Sequence, residues 1–225
     1  MKITFLGHAC LQIAVAGKII IIDPFISGNE LATNIEVNAL KADYILITHA
    51  HQDHILDVET IAKNTGATIV SNYEIAMHYE SKGFKAHPMN HGGSWQFDFG
   101  RVTYTNAIHT SSFPDGSYGG HPGGFVIEST EGNIYIAGDT ALTMDMKLIP
   151  MFAKIDMAVL PIGDNFTMGI DSAIIAARFV ECNSIRGYHY DTFGYIKINH
   201  KEAKRKFSDS NIKLQLLEIG ESLTI

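Results

Sequence analysis

The spacing of apolar positions changes along this chain. The runs "ITFLG" (3–7), "CLQIAVA" (10–16) and "KIIIID" (18–23) are continuous or alternating and of strand length. Gly17 marks a hairpin turn, and Pro24 stops the third run. Residues 27–43 are mixed and predict loop plus a short helix. "YILIT" (44–48) is unbroken, the pattern of a strand covered on both faces. From Asp53 to Asn64 the spacing becomes helical: Ile55, Val58, Ile61 and Ala62 share one face, and Gly66 supplies a stop. "ATIV" (67–70) is a short strand, and Ser71 can cap a helix running to about Ser81, closed by Gly83. "SWQFDFG" and "RVTYTNAIH" predict a strand pair.

The second half follows the same logic. "GGFVIEST" and "NIYIAGD" flank Glu131-Gly132-Asn133, a hairpin signal. A helix is predicted around Met144 to Ala153, then the strand "DMAVLPI", then a helix over 172–181 capped by Asp171. "IRGYHY" is a strand, His200 to Phe207 a helix and "IKLQLLE" a last strand. Strands precede helices in each half. That order predicts an α+β fold of two sheets packed face to face with helices outside, as one domain over 1–225.

Composition narrows the class. The 225 residues are 46% hydrophobic and 18% charged, so the chain can bury a sizeable core. A net charge of −7 disfavours nucleic acid and anionic membrane as partners. Cys10 and Cys182 make no disulfide framework, no run approaches a membrane span, and "MKITFLGHAC" reads as a strand and not as a signal peptide. The expectation is a cytoplasmic protein acting on a small molecule, with homo-oligomerisation left open. The surplus is histidine, with 11 in the chain.

Four titratable groups crowd "HAHQDH" (49–54), directly after the run 44–48. Residues two apart in an extended segment point the same way, so His49 and His51 can converge on one point. Asp53 and His54 fall where the chain turns into a helix and can face a second point. Imidazole and carboxylate are ligands for zinc, manganese and iron. Asp53 alone would read as a helix cap. His109, Asp139 and His189 each end an apolar run, and each alone has a bland reading as a loop, turn or half-buried residue. Together with the motif they make seven ligands, a number that suits two cations sharing a bridge.

In that order and with similar gaps, these residues resemble the metallo-β-lactamase superfamily. "FLGHAC", "SSFPDGSYGG" and "PIGDNFTMG" are similar to metal-dependent hydrolases of the UPF0173 type, related to the L-ascorbate-6-phosphate lactonase group. The resemblance runs nearly end to end; its metal motif is specific for the superfamily and less so for any substrate. It implies an αββα four-layer sandwich of two mixed β-sheets flanked by helices, with the site at one sheet edge. It implies that His49, His51 and His109 hold one divalent cation, that Asp53, His54 and His189 hold a second, and that Asp139 bridges them. Zinc comes first, with manganese and iron admitted. Asp23 matches a position that supports such ligands from behind.

The implied reaction is hydrolysis by a metal-bridging hydroxide on an ester, lactone or phosphodiester, with Asp53 orienting the water and taking its proton. His8 would bind substrate, protonate a leaving group, or serve only as a structural hydrogen bond. His121, Asp164 and Thr167 are candidate substrate contacts on glycine-rich loops. His78, His87, His91 and His200 read as surface or loop residues, and "KEAKRK" (201–206) as a solvated helix face. β-Lactam hydrolysis is disfavoured, because Asp139 stands where the dizinc β-lactamases carry cysteine. Two further classes stay open. A di-iron redox protein of this superfamily would resemble "HxExDH", and His51 stands at the glutamate. A nuclease could use the same cations.

Overall fold

A computed structural model describes residues 1–225. The chain opens with three antiparallel strands, β1 (Lys2–Gly7), β2 (Cys10–Val15) and β3 (Lys18–Ile22). Ile20 and Ile22 enter the core between the sheets and Ile21 packs on the opposite face, the two-residue period of a strand. Ala16 and Gly17 form the β2–β3 turn with φ of 49° and 74°, the left-handed pair that a tight hairpin needs. β4 (Tyr44–Leu46) lies parallel to β3. Two helices follow, α1 (Gln52–Ile55) and α2 (Val58–Thr65), then β5 (Thr68–Asn72), α3 (Tyr73–Ser81) and β6 (Ala86–Met89).

An antiparallel meander comes next: β7 (Ser94–Phe97), β8 (Gly100–Asn106), β9 (Gly123–Ser129) and β10 (Gly132–Ile136). A 3₁₀ segment, Met144–Met151, leads to β11 (Met157–Pro161), α4 (Ile170–Phe179), β12 (Ser184–Tyr188), α5 (His200–Asp209) and β13 (Lys213–Gln215). β14 (Ser222–Thr224) returns to pair with β1.

The strands form two seven-stranded sheets, ordered β14-β1-β2-β3-β4-β5-β6 and β13-β12-β11-β10-β9-β8-β7. Each is antiparallel on one side and parallel on the other. A core that includes Leu11, Ile22 and Leu46 from the first sheet and Phe125, Ile136 and Val159 from the second lies between them. The α2 and α3 side chains pack on the outer face of the first sheet, and those of α4 and α5 on that of the second. The layering is therefore helix, sheet, sheet, helix, the αββα sandwich of mixed sheets. No helix is long and apolar enough to cross a membrane.

Several elements differ from expectation. The helix predicted over 53–64 is two helices. Asp57 interrupts it: its buried carboxylate accepts from the Ile26 and Ser27 N–H groups and from Ser27 Oγ, while its own N–H donates to Pro24 O. Asn72, not Ser71, caps α3, accepting from Ile75 N; Ser71 Oγ instead donates to Ile47 O. Asp171 lies inside the first turn of α4, with Gly169 at the cap position. The segment after Thr143 winds as 3₁₀ and contains Pro150, which lacks an N–H to continue an α-helix. β6 and β14 were not predicted. Both are short edge strands, and Pro88 sits in β6, where an edge tolerates it.

Candidate metal centre

Strands β1, β3 and β4 run one way in the first sheet, and β8, β10 and β12 share a direction in the second. Their C-terminal ends therefore meet at one edge of the sandwich. A residue just past a strand end has left the ladder, so a polar side chain there costs no sheet pairing. The two sheets are joined at this edge by His189 N–H to His8 O (3.0 Å), Gly123 N–H to Thr48 O (3.0 Å) and Tyr104 O–H to Thr48 O (2.8 Å).

The first sheet supplies a braced set. Asp23, buried after β3, accepts from Thr48 N (2.8 Å), Thr48 Oγ1 (2.7 Å) and His54 Nδ1 (2.9 Å). Because Thr48 Oγ1 donates to Asp23, it accepts from His49 Nδ1 at 3.0 Å. That fixes the tautomer: His49 Nε2 carries a bare lone pair and points inward. His49 Nε2 lies 3.0 Å from His51 Nδ1. Asp53 Oδ2 accepts from His8 Nε2 at 3.0 Å, which leaves His8 Nδ1 to accept from Thr192 Oγ1 at 3.0 Å.

The second sheet supplies His109, Asp139 and His189, one each after β8, β10 and β12. Asp139 Oδ2 is the hub. His189 Nε2 lies 2.9 Å from it, His54 Nε2 3.4 Å, His109 Nε2 3.7 Å and His49 Nε2 4.0 Å. Three groups of donor atoms converge closely enough for cations: His49 with His51 and His109; His49 with His54 and Asp139; and His8, Asp53, His54 and His189. His8, Asp23 and His189 hold positive φ (54°, 43° and 55°), a region that costs a non-glycine residue about 1–3 kcal/mol and concentrates at functional sites.

The electrostatics suit a divalent cation. Burial pushes the pKa of His49, His51 and His109 down, so these imidazoles are neutral donors. Burial and then His189 bring His8 down to about 4. Burial opposes charge on Asp139 and Asp53, but His189 and His54 outweigh it at Asp139, and His54 and His8 at Asp53. Both carboxyls are held well below the usual range. At His54, Asp139, Asp53 and Asp23 overcome burial and hold the imidazole well above its ordinary value. Meanwhile His54 Nε2, Asp139 Oδ1 and both His189 nitrogens are buried without a hydrogen-bond partner, although His189 Nε2 approaches Asp139. Buried orphan polar atoms are costly. Of these, His54 Nε2 and His189 Nε2 converge on Asp139 Oδ2 with metal-donor chemistry, so the residues fit a bound cation.

Nine of the sequence-derived residues come together here: His8, Asp23, His49, His51, Asp53, His54, His109, Asp139 and His189. Three stand apart from the donor groups. His121 is exposed, its ring 6.3 Å from those of His91 and Tyr118. Asp164 and Thr167 spend polar atoms inside their own turn, on Asn165 N and Met168 O. His78 stacks on Phe113, His87 lies against Trp95, His91 bonds Pro122 O, and His200 pairs with Asp191 at 2.6 Å. Lys206 and Arg205 on α5 form ion pairs with Asp171 and Asp209. Sequence reasoning missed Thr48 and Thr192, which orient His49 and His8. Thr48 could have been found by its place beside the motif; Thr192, 184 positions from His8, carried no signal.

A family model described as a beta-lactamase superfamily domain matches residues 2–186. The chain is 68% identical to a UPF0173 metal-dependent hydrolase of Christiangramia forsetii, with 100% of both chains covered. Its fold matches a metallo hydrolase from the hyperthermophilic archaeon Ignicoccus hospitalis at TM-score 0.90 and 34% identity, covering 100% of this chain and 97% of that one. An isothiocyanate hydrolase from Delia radicum gut bacteria shares the fold at TM-score 0.81 and 22% identity, with 100% and 99% covered.

Proposed function

The chain belongs to the beta-lactamase superfamily, among the UPF0173 metal-dependent hydrolases, and on that premise we propose that it cleaves an ester, lactone or phosphodiester of a small molecule with two divalent cations. His49, His51 and His109 would hold one cation, Asp53, His54 and His189 the other, and Asp139 both. The observation that carries this reading is the convergence of two buried, unpartnered ring nitrogens, His54 Nε2 and His189 Nε2, on Asp139 Oδ2 at 3.4 and 2.9 Å. Zinc suits the all-nitrogen-and-oxygen set, and manganese or iron can replace it. Bound there, such ions supply Lewis acidity and a water acidified toward a pKa of ~7.

The chain's own residues do the rest. Asp53 is ionised, and its side chain is 27% exposed, so it can meet an incoming water, orient it and take its proton. His8 Nε2 donates to that carboxylate and holds it in place. Asp23 fixes the His54 ring from behind. The core shared by both sheets supports one folding unit over the whole chain. Two free, buried cysteines suit a reducing compartment such as the cytoplasm.

The test is an activity screen of metal-stripped and metal-reloaded protein on bis-p-nitrophenyl phosphate, lactones and thioesters. Turnover that disappears on stripping and returns with zinc or manganese is expected. Equal rates in both forms would remove the cations from the mechanism.

A further inference from the structure

Only part of the cluster reaches solvent. Asp53 and His109 have side chains 27% and 15% exposed, and His51 is half-buried, whereas His8, His49, His54, Asp139 and His189 are buried. A substrate must approach over the loops around those three residues, and two properties of these loops limit what it can carry.

The first property is apolar exposure. Leu56, three residues past Asp53, is 37% exposed and packs against Gly28, where a Cβ would meet its side chain. Ile108, beside His109, is 53% exposed and tied by its N–H to Thr140 Oγ1. The Phe193 ring lies 5.2 Å from that of His8 and is also partly exposed. Phe166 and Tyr195 pair edge to face at 6.1 Å, and Met168 N–H to Thr140 O anchors the Phe166 turn beside Asp139. Exposed apolar groups gathered at one mouth mark a binding surface.

The second property is missing positive charge. Up to the next strand or α-helix, the segments that follow β1, β3, β4, β8, β10, β11 and β12 at this edge contain Lys41, Lys147, Lys154 and Lys197 and no arginine. Lys41 precedes β4 at the opposite edge. Lys154 O accepts from Asn133 at the start of β10, also far from Asp139, and Lys147 lies over the Phe179 ring of α4 on the outer face. Exposed Lys197 and, in the first turn of α5, Lys201 remain; Lys82, near Leu56, is paired with Glu59, and exposed Asp115, Asp145 and Asp164 stand on the same loops. An anionic group beyond the reacting bond would meet no arginine fork and would be repelled.

We infer that the part of the substrate flanking the cleaved bond is an uncharged alkyl or aryl group, seated on this apolar rim. This rests on the hydrolase reading above and narrows it: phosphorylated, carboxylated and nucleic-acid substrates are disfavoured.

Two arms test it. The first compares zinc-loaded protein on p-nitrophenyl hexanoate and on the mono-p-nitrophenyl ester of adipic acid, which has the same acyl length but ends in a carboxylate. The neutral ester should have the higher kcat/KM by about tenfold. Phe193→Ala should shrink that gap, and Lys197→Ala should leave the neutral rate unchanged. Equal or better turnover of the adipate, or loss of its turnover in Lys197→Ala alone, overturns the inference. The second arm uses metal-free protein, so that no ion attracts a carboxylate. Saturation-transfer NMR should detect benzyl alcohol but not 4-(hydroxymethyl)benzoate, with the signal weakened in Phe193→Ala. Binding of the benzoate, or of neither ligand, overturns it too. If loaded protein cleaves no ester, the hydrolytic reading fails for esters, and the NMR arm still decides the character of the rim.

Discussion

The two sheets contribute to the metal centre in different ways. On the first sheet, three of the four rings are anchored by protein groups: His49 by Thr48, His54 through Nδ1 by Asp23, and His8 by both Asp53 and Thr192. On the second, His189 Nδ1 and Asp139 Oδ1 are buried with no partner, and His189 Nε2 has only Asp139 beside it. The first set is oriented before a cation arrives. On the proposed reading, the second would be completed by the cation itself. A site built this way can assemble locally on one sheet and use the ion to fasten the other sheet's strand ends to it.

The sharpest way to break this picture is Asp139→Ala, which removes the hub. It should abolish binding of both ions and lower turnover by more than about 10³-fold, since each cation contributes several kcal/mol of charge stabilisation. Retained metal at wild-type content, measured by elemental analysis, would show that the sheets hold ions independently. His8→Ala should come next. Losing the donor that orients Asp53 should cost about 10²-fold in turnover, and the metal content should stay intact. Wild-type rates in that variant would leave His8 with a structural hydrogen bond alone.

The first-sheet bracing also explains what was legible in the sequence. His49, His51, Asp53 and His54 fall within six residues, so strand geometry alone suggested two facing points. His109, Asp139 and His189 could be seen only as polar ends of apolar runs, and it was the resemblance that joined them into one set. The strand alternation and the β2–β3 hairpin were readable because their signals are local. The break at Asp57 was not, because its cause is a set of backbone donors 30 residues upstream, at Ile26 and Ser27. β14 was hidden for a related reason: it has three residues, and its partner β1 is at the other end of the chain.

Smaller effects sharpen the same comparison. Asp23→Ala removes the acceptor behind His54 and should weaken metal binding by about 10- to 100-fold, as loss of such a partner commonly does. Thr192→Val removes the donor to His8 Nδ1. The cost of about 1 kcal/mol should appear as a several-fold fall in turnover with unchanged metal affinity. Metal affinity should also fall as pH drops. Asp139, Asp53 and Asp23 hold the His54 pKa up, so a proton competes with the cation for Nε2, and more strongly in acid. An equilibrium titration at several pH values measures the trend, and affinity that does not change with pH would speak against His54 as a ligand.

The most direct measurement is the stoichiometry of zinc uptake by stripped protein, followed by competition with a chromophoric chelator. The account predicts about two ions per chain, falling to none in Asp139→Ala. A single ion in the wild-type chain, or no uptake of zinc or manganese at all, would contradict it.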